Sequence, residues 1–187
     1  MTVHRSRRPP RPLDETALRE LATAYVGRFA TTRAKLRTYL TRKIRERGWE
    51  GRQDPDVAAL AQHMTDQGFV DDAGYAESKA RSLTARGYGK RRVIQALRGA
   101  GIAEADSEQA RRHSDEEALG AALRFAERRR VGPFAAAEPT REEREKSIGA
   151  MVRAGHSFDL ARAIVRLAPG ADIDVDELAQ AARLTVI

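Results

Sequence analysis

Two adjacent carboxylates, Asp71 and Asp72, are the residues of this chain best suited to acid–base or metal-assisted chemistry. Paired acids can hold a divalent cation, so a magnesium-dependent nuclease is one chemistry they permit. Their position favours a plainer role. They stand just before an apolar-periodic run, where aspartate satisfies the free N–H groups and dipole of a helix start. Asp172, Asp174 and Asp176 imitate the opening of a calcium loop, but the positions that need glycine and a bidentate glutamate hold Glu177 and Arg183. Gly87-Tyr88-Gly89-Lys90 imitates a phosphate loop, yet the earlier glycine falls on Thr84 and the hydroxyl on Arg91. His4, His63, His113 and His156 have no partner at ligand spacing. With no cysteine, disulfides and thiol chemistry are excluded. A non-enzymatic protein without metal or cofactor is expected.

Charge is the more informative signal. Thirty-four basic against 27 acidic residues give a net +7, and 29 of the basic residues are arginine. A GC-rich genome produces such a ratio by itself, so location decides. Residues 1–13 carry +4 and residues 28–52 carry +7, which leaves the remainder at −4. Basicity gathered at one end is the footprint of a nucleic-acid surface, or of one that meets an acidic partner protein. Arg28, Arg33, Lys35, Arg37, Arg42, Lys43, Arg45 and Arg47 surround the face opposite Leu36, Leu40 and Ile44 on a helix. Lys90, Arg91 and Arg92 open a later helix, beside N–H groups suited to anions. Arg28, Arg33, Arg37, Arg42, Lys43, Arg45, Lys90, Arg91 and Arg92 are therefore the expected contact residues.

These groups must be carried by helices, because helix signals recur throughout and no run alternates long enough for a sheet. Asp14 caps a first helix with Leu18, Leu21, Ala22 and Tyr25 on one face. Thr31 or Thr32 caps a second, which stops at Gly48. Asp54-Pro55 starts a third, ended by Gly68; Asp71 or Asp72 starts a fourth, ended by Gly87. Further helices are expected at about 90–101, 104–113, 115–130, after Thr140, after Ser157 and over 174–184. Gly48, Gly101 and Gly155 lie 53 and 54 residues apart, each preceded at four residues by an apolar side chain, Ile44, Leu97 and Met151. Three three-helix units of this kind stack as a solenoid. Their expected extents are 14–69, 70–113 and 114–168, after a basic disordered tail at 1–13 and before an extension at 169–187. Trp49, Phe69 and Tyr88 each follow a helix-ending glycine and are expected to fold back onto the last turn. No stretch approaches the ~18 apolar residues of a membrane span, and no apolar segment follows the basic start, so a cytoplasmic protein is expected; a monomer is expected separately.

In the central third, the ordered string Gly68-Phe69-Val70-Asp71-Asp72, Tyr75-Ala76, Arg86-Gly87-Tyr88-Gly89, Arg91-Arg92-Val93, Leu97 and Gly101-Ile102 resembles the RecX family of bacterial recombination regulators. Looser matches extend it over roughly 18–168, among them Tyr25, Arg28 and Leu36 before the string and Arg153 with Gly155-His156-Ser157 after it. Lys35, Lys90, Ala154 and His156 depart from the usual glutamate, proline, arginine and phenylalanine. The resemblance implies tandem three-helix repeats in a curved molecule. It also implies binding to RecA and to its filament on single-stranded DNA, with restraint of RecA's ATPase, strand exchange and induction of the damage response. Only weak, sequence-blind nucleic-acid binding is implied. The competing class is a stand-alone helix-turn-helix transcription regulator, which would bind a specific duplex with no protein partner.

Overall fold

The first turn of a helix has N–H groups with no partner inside it, and short polar side chains set each start in the first third of the chain. In the computed structural model, which describes residues 11–182, Asp14 accepts from the Ala17 N–H at 2.7 Å and opens α1 (Glu15–Val26). Thr32 accepts from the Lys35 N–H at 3.1 Å and opens α2 (Arg33–Arg47). The third start departs from the expected Asp54-Pro55. Asp56 accepts from the Ala59 N–H at 2.8 Å and opens α3 (Val57–Asp66), leaving Pro55 in the turn before it. Among the described residues seven more α-helices follow: α4 (Asp72–Ala85), α5 (Lys90–Gly99), α6 (Glu108–Glu116), α7 (Ala118–Arg129), α8 (Arg141–Arg153), α9 (Phe158–Arg166) and α10 (Val175–Ala181). The chain is all-α; among the described residues the single β-type feature is an isolated bridge between Leu13 and Trp49.

The helices divide into two compact units, Met1–Asp72 and Ala73–Ile187. The first is built on Leu18 and Ala22 from α1, Leu36 and Leu40 from α2, and Ala61 and Met64 from α3. Leu13, expected at the end of a loose tail, is instead fully buried in this core. Its N–H donates to Gly48 O at 3.0 Å, and its carbonyl accepts from the Glu50 N–H at 2.9 Å. Residues 1–10 of that tail, and 183–187, lie outside the described residues.

The second unit holds two apolar clusters. One joins Ala76, Ala80 and Leu83 of α4 to Val93 and Leu97 of α5 and Ala110 of α6. The other joins Phe125 of α7, Met151 of α8, Leu160 and Ile164 of α9, and Leu178 of α10. Tyr88 packs against both. The glycine spacing has a local cause in this unit. Gly101 (φ +73°) and Gly155 (φ +101°) turn left-handed, so the next N–H returns to the carbonyl four residues before the glycine. Ile102 reaches Leu97 O at 3.1 Å and His156 reaches Met151 O at 3.2 Å. Gly48 differs: its own N–H returns to Ile44 O at 2.8 Å, and its carbonyl accepts from the Leu13 N–H at 3.0 Å. Trp49 and Tyr88 lie partly buried against the cores. Phe69 does not fold back. Its N–H returns to Met64 O, but the residue is 58% exposed, because neighbouring Val70 fills the apolar slot.

Within the second unit, the turn before α5 and the turn between α8 and α9 are bonded backbone to backbone. The Gly89 N–H donates to Ala154 O at 3.0 Å, and the Arg91 N–H donates to Gly155 O at 3.1 Å. His156 closes the joint, 2% exposed, with Nε2 3.1 Å from Gly87 O and its ring edge against Phe125. Burial pushes its imidazole below the ordinary value, and the bond to the Gly87 carbonyl only partly opposes this. A folded-state pKa below the unfolded value near 6.5 means that the unfolded chain binds the extra proton. Stability is therefore full above about pH 6.5 and is lost as pH falls through the folded pKa, at about 1.4 kcal/mol per unit of depression. Urea unfolding from pH 8 to 5 should show this acid-side decline for the second unit, and His156→Phe should flatten it. An unchanged slope in the variant would assign the decline to other groups.

Candidate functional site

The α2 segment folds with Leu36 and Leu40 fully buried and Ile44 half-buried, which turns its cationic side chains outward. Its start is satisfied internally. Thr32 takes the Lys35 N–H, and the Asp72 carboxylate accepts from the Arg33 N–H at 2.9 Å. Asp72 is 6% exposed, and its second oxygen lies 3.9 Å from Arg33 Nε. This corrects the sequence reading, in which Asp72 caps its own helix: it is the first residue of α4 and serves the start of α2. Asp71 is exposed while Asp72 is buried, so the two carboxylates do not share one site.

Of the six cations expected to make contacts in this region, Arg33 is committed to the fold. Its guanidinium also donates to Gln62 Oε1 at 2.9 Å. Arg42 and Lys43 share one carboxylate, Glu46, at 2.9 and 2.7 Å. The Lys43 hydrogen bond, and then the Arg42 charge, hold Glu46 below its ordinary carboxylate value, so two cations meet one fixed anion. Arg28, Arg37 and Arg45 are exposed and have no ion-pair partner among the described residues.

The second expected cluster is less open than the sequence suggests. Lys90 Nζ bonds Asp115 at 2.5 Å and Arg92 bonds Gln95 at 2.7 Å. The Arg91 N–H, one of those expected to meet an anion, is occupied by the Gly155 carbonyl. Sequence reasoning passed over two features. Arg128 and Arg129 lie 5.5 and 5.9 Å from the Phe125 ring, and Arg128 also donates to Arg86 O at 2.5 Å. With Arg130 they form an exposed run that is visible as three consecutive arginines. In the first unit, Tyr25 and Tyr39 stack at 4.1 Å with 17° between planes, and Phe29 tilts against Tyr25 at 5.4 Å. Arg42 and Lys43 approach the Tyr39 ring at 5.6 and 5.9 Å. Only the Tyr25–Phe29 spacing of four residues hints at this in sequence.

The arrangement offers outward cations and ordered aromatic rings. Among the described residues, no group of three or more His, Cys, Asp or Glu side chains could hold a metal ion, and no helix is long and apolar enough to cross a membrane.

Comparison with known proteins gives a consistent family. Residues 71–110 match the family model of the RecX second three-helix domain. The regulatory protein RecX of Myxococcus xanthus is 32% identical over 167 residues, covering 83% of this chain and 88% of that protein. The regulatory protein RecX of Agrobacterium fabrum is 30% identical over 140 residues, covering 73% and 74%. The crystal structure of RecX from Lactobacillus salivarius superposes with a TM-score of 0.59 at 18% identity, covering 81% of this chain and 94% of that one, a likeness of fold.

Proposed function

The chain belongs to the RecX family of regulatory proteins, and from that premise we propose that it acts on the RecA recombinase. It binds RecA and the RecA filament on single-stranded DNA, lying where protein and DNA are met together, and restrains ATP hydrolysis, strand exchange and induction of the damage response. The role is non-enzymatic and cytoplasmic. The observation that best supports contact with an anionic partner is the solvent face of α2 and the turn before it, where Arg37 and Arg45 on the helix and Arg28 in the turn stand exposed and free of acidic partners among the described residues. Such a face suits phosphates or the acidic surface of a protein, and its contribution fades with salt.

The test is RecA ATP hydrolysis on single-stranded DNA with this protein titrated in at moderate salt. Inhibition is expected well below one molecule per RecA, the signature of capped or blocked filament extension. No inhibition, combined with tight binding to a specific duplex in the presence of competitor DNA, would replace this reading with the stand-alone transcription regulator.

A further inference from the structure

We infer that Phe29, Tyr25 and Tyr39 form a base-stacking platform for single-stranded nucleic acid in the first unit. The inference rests on the reading above only for its choice of a DNA-bound setting. Phe29 lies in the turn between α1 and α2, and the residue is 56% exposed. Burial does not hold it there. Its N–H donates to Tyr25 O at 3.1 Å, and its ring is steadied on one side by Tyr25 at 5.4 Å. Tyr25 is in turn stacked on Tyr39 at 4.1 Å, and both tyrosines pack partly buried against the core. The three rings thus form a short ladder, fixed at its inner end and open at Phe29.

A single exposed ring is ordinary on a protein surface; Phe29 is set apart by the two ordered tyrosine rings that continue from it. The charges around it indicate what covers it. Arg28 is the neighbouring residue and is exposed. At the inner end, Arg42 and Lys43 lie 5.6 and 5.9 Å from the Tyr39 ring and share a single carboxylate. Residues 28–52 as a whole carry nine basic and two acidic side chains. An apolar protein partner would need no such excess, whereas a single strand presents a planar base for Phe29 and phosphates for the cations. Base–aromatic stacking of this kind tolerates any sequence, because every base has a π face.

The experiment measures anisotropy of a labelled oligothymidylate and of an abasic strand of equal length, with the intact protein and no RecA. Wild type should bind the thymidylate more tightly than the abasic strand. Phe29→Ala should lose roughly tenfold or more on the thymidylate and little on the abasic strand, while Phe29→Trp restores binding and gains an emission that the strand quenches. Equal binding of both strands by wild type overturns the proposal. So does a Phe29→Ala variant that binds as wild type does, or one that weakens on both strands alike. If Phe29→Ala keeps DNA binding but weakens RecA inhibition, the ring meets protein and the platform is wrong. Because RecA is absent from the binding assay, failure here leaves the ATPase result standing, and the converse holds too.

Discussion

Gly155→Ala should destabilise the second unit by roughly 3 kcal/mol or more, and Gly89→Ala by about 1–3 kcal/mol. A Cβ on Gly155 would stand 2.5 Å from Arg92 N, 2.8 Å from Arg92 Cβ and 2.8 Å from Gly89 O. The backbone there is also at φ +101°, where an L side chain is strained. Gly89 separates the two effects. Its φ of −82° suits any residue, but a Cβ would come within 2.4 Å of the Gly155 carbonyl carbon and oxygen. Neither obstacle is the flexible end of a side chain, so relief requires opening the joint between the two turns. Gly68→Ala is the complementary control. At φ +74° with nothing within 4 Å, it should show strain alone, about 1–2 kcal/mol. Trp49, the single tryptophan, belongs to the first unit, so its fluorescence follows that unit while far-UV circular dichroism follows both. In urea, Gly155→Ala should move the circular dichroism transition most and Gly68→Ala least. If Gly155→Ala melted like wild type, the backbone joint would not be what holds the two clusters of the second unit together.

Neutralising Arg28, Arg37 and Arg45 together should lower the salt dependence of single-stranded DNA binding by about two units of log–log slope. Each phosphate contact contributes about 0.7 to that slope on a single strand. Between 50 and 200 mM salt, the wild-type advantage over the triple alanine variant should therefore shrink roughly 15- to 20-fold. The control removes equal charge elsewhere, at Arg98, Arg153 and Arg166, which are exposed on the second unit. Long-range attraction by net charge alone would move both variants equally. A slope change confined to the first triple localises the phosphates to α2 and its preceding turn. Equal changes would remove that assignment.

Much of this was legible in the sequence because it is governed by local rules. The caps at Asp14, Thr32, Thr140 and Ser157 each bond an N–H three residues ahead, a relation that needs no tertiary knowledge. The stops at Gly101 and Gly155 are equally local. What sequence could not supply was long-range partnership. Nothing near Asp72 reveals that its carboxylate serves an N–H 39 residues earlier. Nothing near Lys90 reveals that the Arg91 N–H meets the Gly155 carbonyl of another turn rather than solvent. The same limit applied to Phe69, where local pattern suggests a folded-back ring and competition from Val70 leaves it outside. At the candidate site, charge density was visible, but its division was not. Arg33, Arg42 and Lys43 read as equals of Arg28, Arg37 and Arg45 until their partners Asp72, Gln62 and Glu46 are seen.

The placement of Asp72 also bears on how repeats of this family can be exchanged between relatives. Judged by its core, the first unit finishes at Val70, the last apolar side chain of its cluster. Judged by its hydrogen bonds, it finishes two residues later, on a carboxylate that is covalently part of the next helix. A chimera spliced at the apolar boundary would import a foreign residue at position 72 and leave the Arg33 N–H dependent on whatever arrived. The segment that must travel intact is thus two residues longer than the segment that packs.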